Sequence, residues 1–162
     1  MIKCLGIDPG LAETGVGIIS GKEFDINSYA FGDIHTLKSA PLPSRLNHIY
    51  DKVIELIRSE KPDLIVVEDV FSLQKFPKSG ITLGKVTGVI LLAAAKAQTP
   101  VLEIPVREAK KILTGNGNAS KMQLETAVRN LLKHPDPIKP DHASDAIALA
   151  IIGQIRYRSD TL

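Results

Sequence analysis

Two short apolar runs, residues 2–7 and 64–67, each stop on an acid, Asp8 and Glu68. The first is short and largely apolar, and the second suits a strand buried on both faces. Between them the hydrophobic period changes. Residues 14–20 and 23–31 are further strand-like stretches, and a turn signal near Gly21-Lys22 predicts an antiparallel hairpin. Leu46, Ile49, Tyr50, Val53, Ile54 and Ile57 then recur at helical spacing, from about Pro43-Ser44 to just before Pro62. A right-handed crossover through that helix sets the second buried run parallel to the first and beside it. Both acids then fall at neighbouring carboxyl ends, where ligand sites in open sheets lie.

The remaining pattern is mostly helical. Residues 81–97 read as a long, nearly all-apolar helix and 101–104 as a short strand, while 106–113, 120–132 and 142–157 read as helices. The expected fold class is α/β: a mixed five-stranded sheet with its first three strands antiparallel, the others parallel, and helices on both faces. A length of 162 residues favours one domain, taken as 1–157, with 158–162 as a short C-terminal tail. Composition serves mainly to exclude. A net charge of +2 does not by itself argue for nucleic acid, although a cluster of acids would mask a basic face in the total. The longest apolar run, residues 89–95, is far below the roughly 20 residues that span a bilayer, so no membrane is expected. Cys4 is the single cysteine, which excludes an internal disulfide and fits a reducing cytoplasm.

Two carboxylates at one sheet edge repel, and one of them tends to protonate. A divalent cation between them removes the conflict, so converging acids point to Mg²⁺ or Mn²⁺. The bland reading of Asp8, in Asp8-Pro9-Gly10, is a turn former. Glu68, after four apolar residues, is an odd place for an idle acid. A third element is Pro140-Asp141-His142-Ala143-Ser144-Asp145-Ala146. Asp141 suits an N-cap, and His142 and Asp145 share one face of the first turn. The small residues Ala146 and Ala148 would let this helix approach the sheet closely. A doubly acidic helix start explains Asp141 well and Asp145 less well.

Together, Gly6-Ile7-Asp8-Pro9-Gly10, Glu68-Asp69-Val70-Phe71 and His142-Ala143-Ser144-Asp145-Ala146 resemble the RuvC Holliday junction resolvases. Leu42-Pro43-Ser44-Arg45-Leu46, Leu83-Gly84 with Gly88, and Gly115-Asn116-Gly117 extend the likeness over essentially the whole chain. The resemblance implies a ribonuclease H-like fold and a homodimeric, DNA-cutting metalloenzyme of recombination and repair. Its expected reaction is two-metal hydrolysis with two Mg²⁺ per subunit, Mn²⁺ being a substitute. The expected product is a pair of symmetric nicks, each with a 5′-phosphate, that resolves a four-way DNA junction. Asp8, Glu68 and Asp145 match three of the family's four acidic metal ligands. The fourth position, where many members have Asp, is His142. Two assignments stand open: His142 itself as ligand, favoured by spacing, or Asp141 after a small helix shift. A third role for His142 is proton shuttling. The family also implies cooperation with the RuvA–RuvB branch-migration complex.

Binding residues follow less sharply. Phe71, Lys75, Phe76 and Lys78 lie in or beside a predicted loop, 72–80, and an aromatic among lysines suits unpaired bases. The family associates the Phe71 position with opening base pairs near the junction. Arg107, Lys110 and Lys111 share one helix, and Lys121 opens the next. Lys110 and Lys121 match basic family positions that hold the DNA backbone, against the bland reading of a solvated charged face. Free backbone N–H groups after Gly115-Asn116-Gly117 suit a phosphate. Gly84 and Gly88 mark a strip on the apolar helix where a second subunit would pack. Three rival readings remain: a sugar-kinase or actin-like ATPase, for which the chain is short; a junction-binding module that does not cut; and a ribonuclease H-like nuclease acting on RNA.

Overall fold

The computed structural model describes residues 1–69 and 77–157. Strands β1 (Ile2–Asp8), β2 (Glu13–Lys22) and β3 (Asp25–His35) lead to helix α1 (Leu42–Glu60), strand β4 (Leu64–Glu68) and helix α2 (Pro77–Lys96). Strand β5 (Val101–Ile104) and helices α3 (Val106–Thr114), α4 (Lys121–Leu132) and α5 (Asp141–Arg156) complete the order. The five strands form one sheet in the order β3-β2-β1-β4-β5. β1 pairs antiparallel with β2, and β2 with β3, whereas β4 runs parallel to both β1 and β5. This is the mixed sheet that the two buried runs predicted.

Two apolar cores lie on opposite faces of the sheet. One joins Ile2, Cys4, Leu64, Val66 and Ile104 to α3, α4 and α5; the other joins Leu5, Ile7, Ile65 and Val67 to α1 and α2. Strand alternation makes the division, since successive side chains point to opposite faces. α5 is the central helix. Its residues from Ala143 to Gln154 are all buried, as expected of a helix apolar all round and packed between a sheet and other helices. Fully burying each of Ile147, Leu149 and Ile151 contributes about 1.5–3 kcal/mol.

Two local expectations are corrected. The β2–β3 turn falls at Glu23 and Phe24 rather than at Gly21, which stays in β2 beside a register shift. α2 starts at Pro77, four residues before Ile81, so Lys78 belongs to a helix rather than a loop. α2 is buried on one face only: Val86, Ile90, Ala93 and Ala94 face the core, while Ile81 and Leu92 are exposed. Residues 78–96 have the length and hydropathy of a bilayer span. Their inner face nonetheless packs into the core shared with α1, and Lys85 stands exposed on the outer face.

Candidate active site

Strand parity decides what meets at the carboxyl edge of the sheet. Asp8 is in phase with Cys4, and Glu68 with Leu64 and Val66, all residues of the α5 side. α5 brings His142 and Asp145 to the same place from its first turn. Glycine makes the approach close enough. A side chain at Gly6 would overlap the carbonyl oxygen of Ala146, and one at Gly15 would overlap that of His142. The small residues needed for close approach thus lie on the sheet as well as on the helix.

A cavity of about 490 Å³ results, lined by Asp8, Glu68, His142, Asp145, Lys110 and Lys121 among others. Asp8 and Asp145 are 4% and 8% exposed, which is unusual for carboxylates. His142 Nδ1 lies 2.6 Å from Asp8 Oδ2. Burial first, then a hydrogen bond with Asp8 and the charges of Asp8 and Asp145, push the Glu68 carboxyl up to about 9. The Glu68 carboxyl therefore keeps its proton to higher pH than an ordinary glutamate and shares a hydrogen bond with Asp8. Burial and then the charge of Asp8 push Asp145 up to about 6, against the pull of Lys121, His142 and Lys110. The hydrogen bond to Asp8 raises His142 above the ordinary imidazole range, with burial opposing it.

This donor set fits a hard divalent cation. Three carboxylates and an imidazole crowd one cavity, and a divalent cation relieves the conflict among them. As the side chains stand, no three His, Cys, Asp or Glu groups among the described residues are arranged to hold one ion. Asp8 is turned onto His142 and Glu68 instead. Gathering around an ion requires these groups to exchange their mutual hydrogen bonds for ligation, with the release of protons.

A prediction follows from the sign of the shifts. Glu68 in the fold holds a proton that the unfolded chain releases, so metal-free stability is present at low pH and lost as pH rises toward about 9. His142 and Asp145 shift in the same direction. Thermal melts in chelator should decline from pH 5 to pH 9, and Glu68→Gln or added Mg²⁺ should flatten the decline. A metal-free wild-type profile that is flat or rising would contradict it.

The expected residues assemble unevenly. Lys110 and Lys121 line the cavity. Arg107 does not, and its stem packs against Gly117 instead. Lys78 is exposed at the start of α2. Phe71, Lys75 and Phe76 lie outside the described residues. Asp141 is not the N-cap. Pro140 holds that position without a side-chain cap, and the Asp141 carboxylate pairs with Lys139 at 2.8 Å, away from the cavity. The helix start after Gly117 is also more self-satisfied than expected. Ser120 and Gln123 form a reciprocal capping box, and the Asn116 and Asn118 N–H groups are bonded to Thr114 and Asn116 side chains.

Glu13 was not foreseen. It lines the cavity, and its Oε1 is buried without a hydrogen-bond partner. The signal was present, because β2 returns antiparallel from the Asp8 turn and Glu13 is in phase with Gly15 on the α5 face.

A sheet in this order with carboxylates at the ends of its first and fourth strands, faced by an acid on the last helix, defines the ribonuclease H-like nuclease class. Within that class, the model of the crossover junction endodeoxyribonuclease RuvC family matches residues 4–153. The chain belongs to the RuvC family. It is 40% identical to RuvC of Carboxydothermus hydrogenoformans over 96% of its length and 97% of the relative's. It superposes on Thermus thermophilus RuvC in complex with a Holliday junction substrate with a TM-score of 0.87, at 27% identity, covering 93% of this chain and 92% of that one. The yeast mitochondrial Holliday junction resolvase shares the fold at a TM-score of 0.61 and 14% identity, over 94% of this chain and 77% of that one.

Proposed function

We infer that this chain is a structure-selective endodeoxyribonuclease that resolves four-way DNA junctions by paired symmetric nicks, serving recombination and repair. One observation carries the reading: Asp8, Glu68, His142 and Asp145 converge in a single cavity whose wall also holds Lys110 and Lys121. Nucleases of this family are divalent-metal dependent. We assign Asp8, Glu68, His142 and Asp145 as the groups that hold Mg²⁺, two ions per subunit, with Mn²⁺ as a substitute. When bound, the ions supply the positive charge that stabilises both the attacking and the leaving oxygen of the phosphodiester.

The chain's own residues do the rest. Lys110 and Lys121 draw the DNA backbone to the carboxylates and partly offset their repulsion of phosphate. Burial of Asp8 and Asp145 excludes water and strengthens each charge interaction. His142 is a ligand in this assignment, and its Nδ1 is within hydrogen-bond reach of Asp8. We assign Arg107, Lys75 and Lys78 to DNA binding by their charge and Phe71 to stacking on an unpaired base, as the family resemblance implies.

Paired nicks call for two sites, and α2 suits a C2 homodimer. Side chains placed at Gly84 or Gly88 would meet nothing, so this strip with exposed Ile81 and Leu92 faces outward. Small residues flanked by apolar ones permit close helix packing between subunits. Residues 1–157 are read as one domain. A cytoplasmic location suits Cys4, whose thiol is buried and pushed up to about 12, chiefly by that burial. Cooperation with RuvA–RuvB rests on family membership.

The test is cleavage of a synthetic four-way junction in Mg²⁺ and in Mn²⁺, with an RNA–DNA hybrid as competitor and ATP as a control. Symmetric nicking of the junction, resistant to the hybrid and independent of ATP, is expected. Binding without nicking in either metal, or preference for the hybrid, would overturn the assignment. In the same assay His142→Asp should retain activity with a shift toward Mg²⁺. An inactive Asp141→Ala beside an active His142→Ala would exchange the two ligand assignments.

A further inference from the structure

Asp8 ends β1 at the start of a turn, residues 9–12, which lines the cavity. Each carbonyl from Gly10 to Ala12 is captured. Thr14 Oγ1 donates to Gly10 O at 2.7 Å. The Thr36 hydroxyl donates to Leu11 O, and the Thr36 N–H donates to Ala12 O at 3.1 Å. Thr14 lies in β2 and Thr36 just after β3, so all three captures come from outside the turn, two of them from the far side of the β2–β3 pairing.

The Thr36 hydroxyl is itself oriented. Arg45 Nε, on the first turn of α1, donates to Thr36 Oγ1 at 2.8 Å. A guanidinium has donors and no acceptor, so the hydroxyl cannot return its proton to Arg45. Its hydrogen is left to Leu11 O. The arginine thereby fixes a rotor that a threonine alone would leave free, and a charged donor strengthens the bond it polarises. Arg45 and Thr36 are both only partly exposed. Arg45 belongs to the Leu42-Pro43-Ser44-Arg45-Leu46 motif, which the carboxylate chemistry does not use.

We propose that Arg45 is a positioning residue for cleavage, acting through Thr36 on the turn that carries Asp8. The proposal rests on the nuclease reading. Arg45 touches no carboxylate of the site; it sets the backbone on which one of them is mounted. Misplacement of a reacting group by about 1 Å costs on the order of a hundredfold in rate.

The test compares Arg45→Ala, Thr36→Val and their double variant, with Thr36→Ser as rescue, in single-turnover junction cleavage. Junction affinity against salt and hydrogen exchange of the 9–13 turn are measured in parallel. Arg45→Ala and Thr36→Val are each expected to slow cleavage roughly ten- to a hundredfold, with affinity and its salt slope unchanged. The double variant should be no slower than Thr36→Val alone, because one relay is cut twice. Thr36→Ser should cleave like wild type, and exchange in the turn should quicken in both slow variants.

Weaker junction binding by Arg45→Ala, with a salt slope reduced by about one and normal cleavage by Thr36→Val, would make Arg45 a phosphate contact and overturn the relay. Wild-type rates in both variants would overturn it too. Should Arg45→Ala fail to fold, Thr36→Val and its serine rescue decide alone. Failure of the wild-type protein to cut would refute the nuclease reading, while the exchange measurement would still judge the relay.

Discussion

Asp8→Asn, Glu68→Gln and Asp145→Asn are each expected to abolish junction cleavage while sparing junction binding. Each change keeps the shape of the side chain and removes the charge that a cation needs. The loss should be about a thousandfold or more, the scale seen when a group stabilising developing charge is removed. Stability should move the other way. Burial and mutual repulsion hold Glu68 at about 9 and Asp145 at about 6, so the metal-free fold gains when either carboxylate becomes a neutral amide. Single-turnover cleavage beside chelator-containing melts checks both halves. A variant that still cuts would remove its residue from the site. One that loses binding together with cleavage would point to a misfolded edge rather than lost chemistry.

Gly6→Ala is expected to be the most disruptive single methyl in the molecule. Its Cβ would overlap the Ala146 carbonyl oxygen, with the Ala150 N–H close behind. Both are helix backbone, which cannot turn aside as a side chain can. α5 must lift from the sheet, at a cost of about 3 kcal/mol or more for overpacking of this kind. His142 and Asp145 travel with that helix, so cleavage should fall further than the stability loss alone explains. Gly32→Ala is the control, because nothing lies near its added methyl. Thermal melts of the two variants suffice. A Gly6→Ala protein with wild-type stability and activity would show that α5 does not ride on this strand as described.

Most of the architecture was legible because period and length agree element by element. The buried runs before Asp8 and Glu68, the helical repeat between them and the turn at Asp8-Pro9-Gly10 left little choice of topology. The parallel pairing of β1 with β4 follows from the crossover rule. The acids of the site were legible for the same reason, since each ends a strand or opens a helix. What escaped depends on tertiary packing. Asp141 has the composition of an N-cap, yet Lys139 claims its carboxylate. Glu13 carries no motif and becomes visible only once β2 is laid antiparallel to β1. The Arg45–Thr36–Leu11 chain joins three segments through one hydroxyl, and no sequence period encodes such a link.

The continuous burial of α5 has a bearing on how variation in this protein should be interpreted. A helix with no free face tolerates little change anywhere, whether or not a given position takes part in chemistry. A saturation scan would thus report one unbroken block of intolerance from Ala143 to Gln154. Ranking positions by sensitivity would hide Asp145, the acid assigned to the site, among eleven other buried positions. Only a scan scored separately for abundance and for turnover would tell them apart.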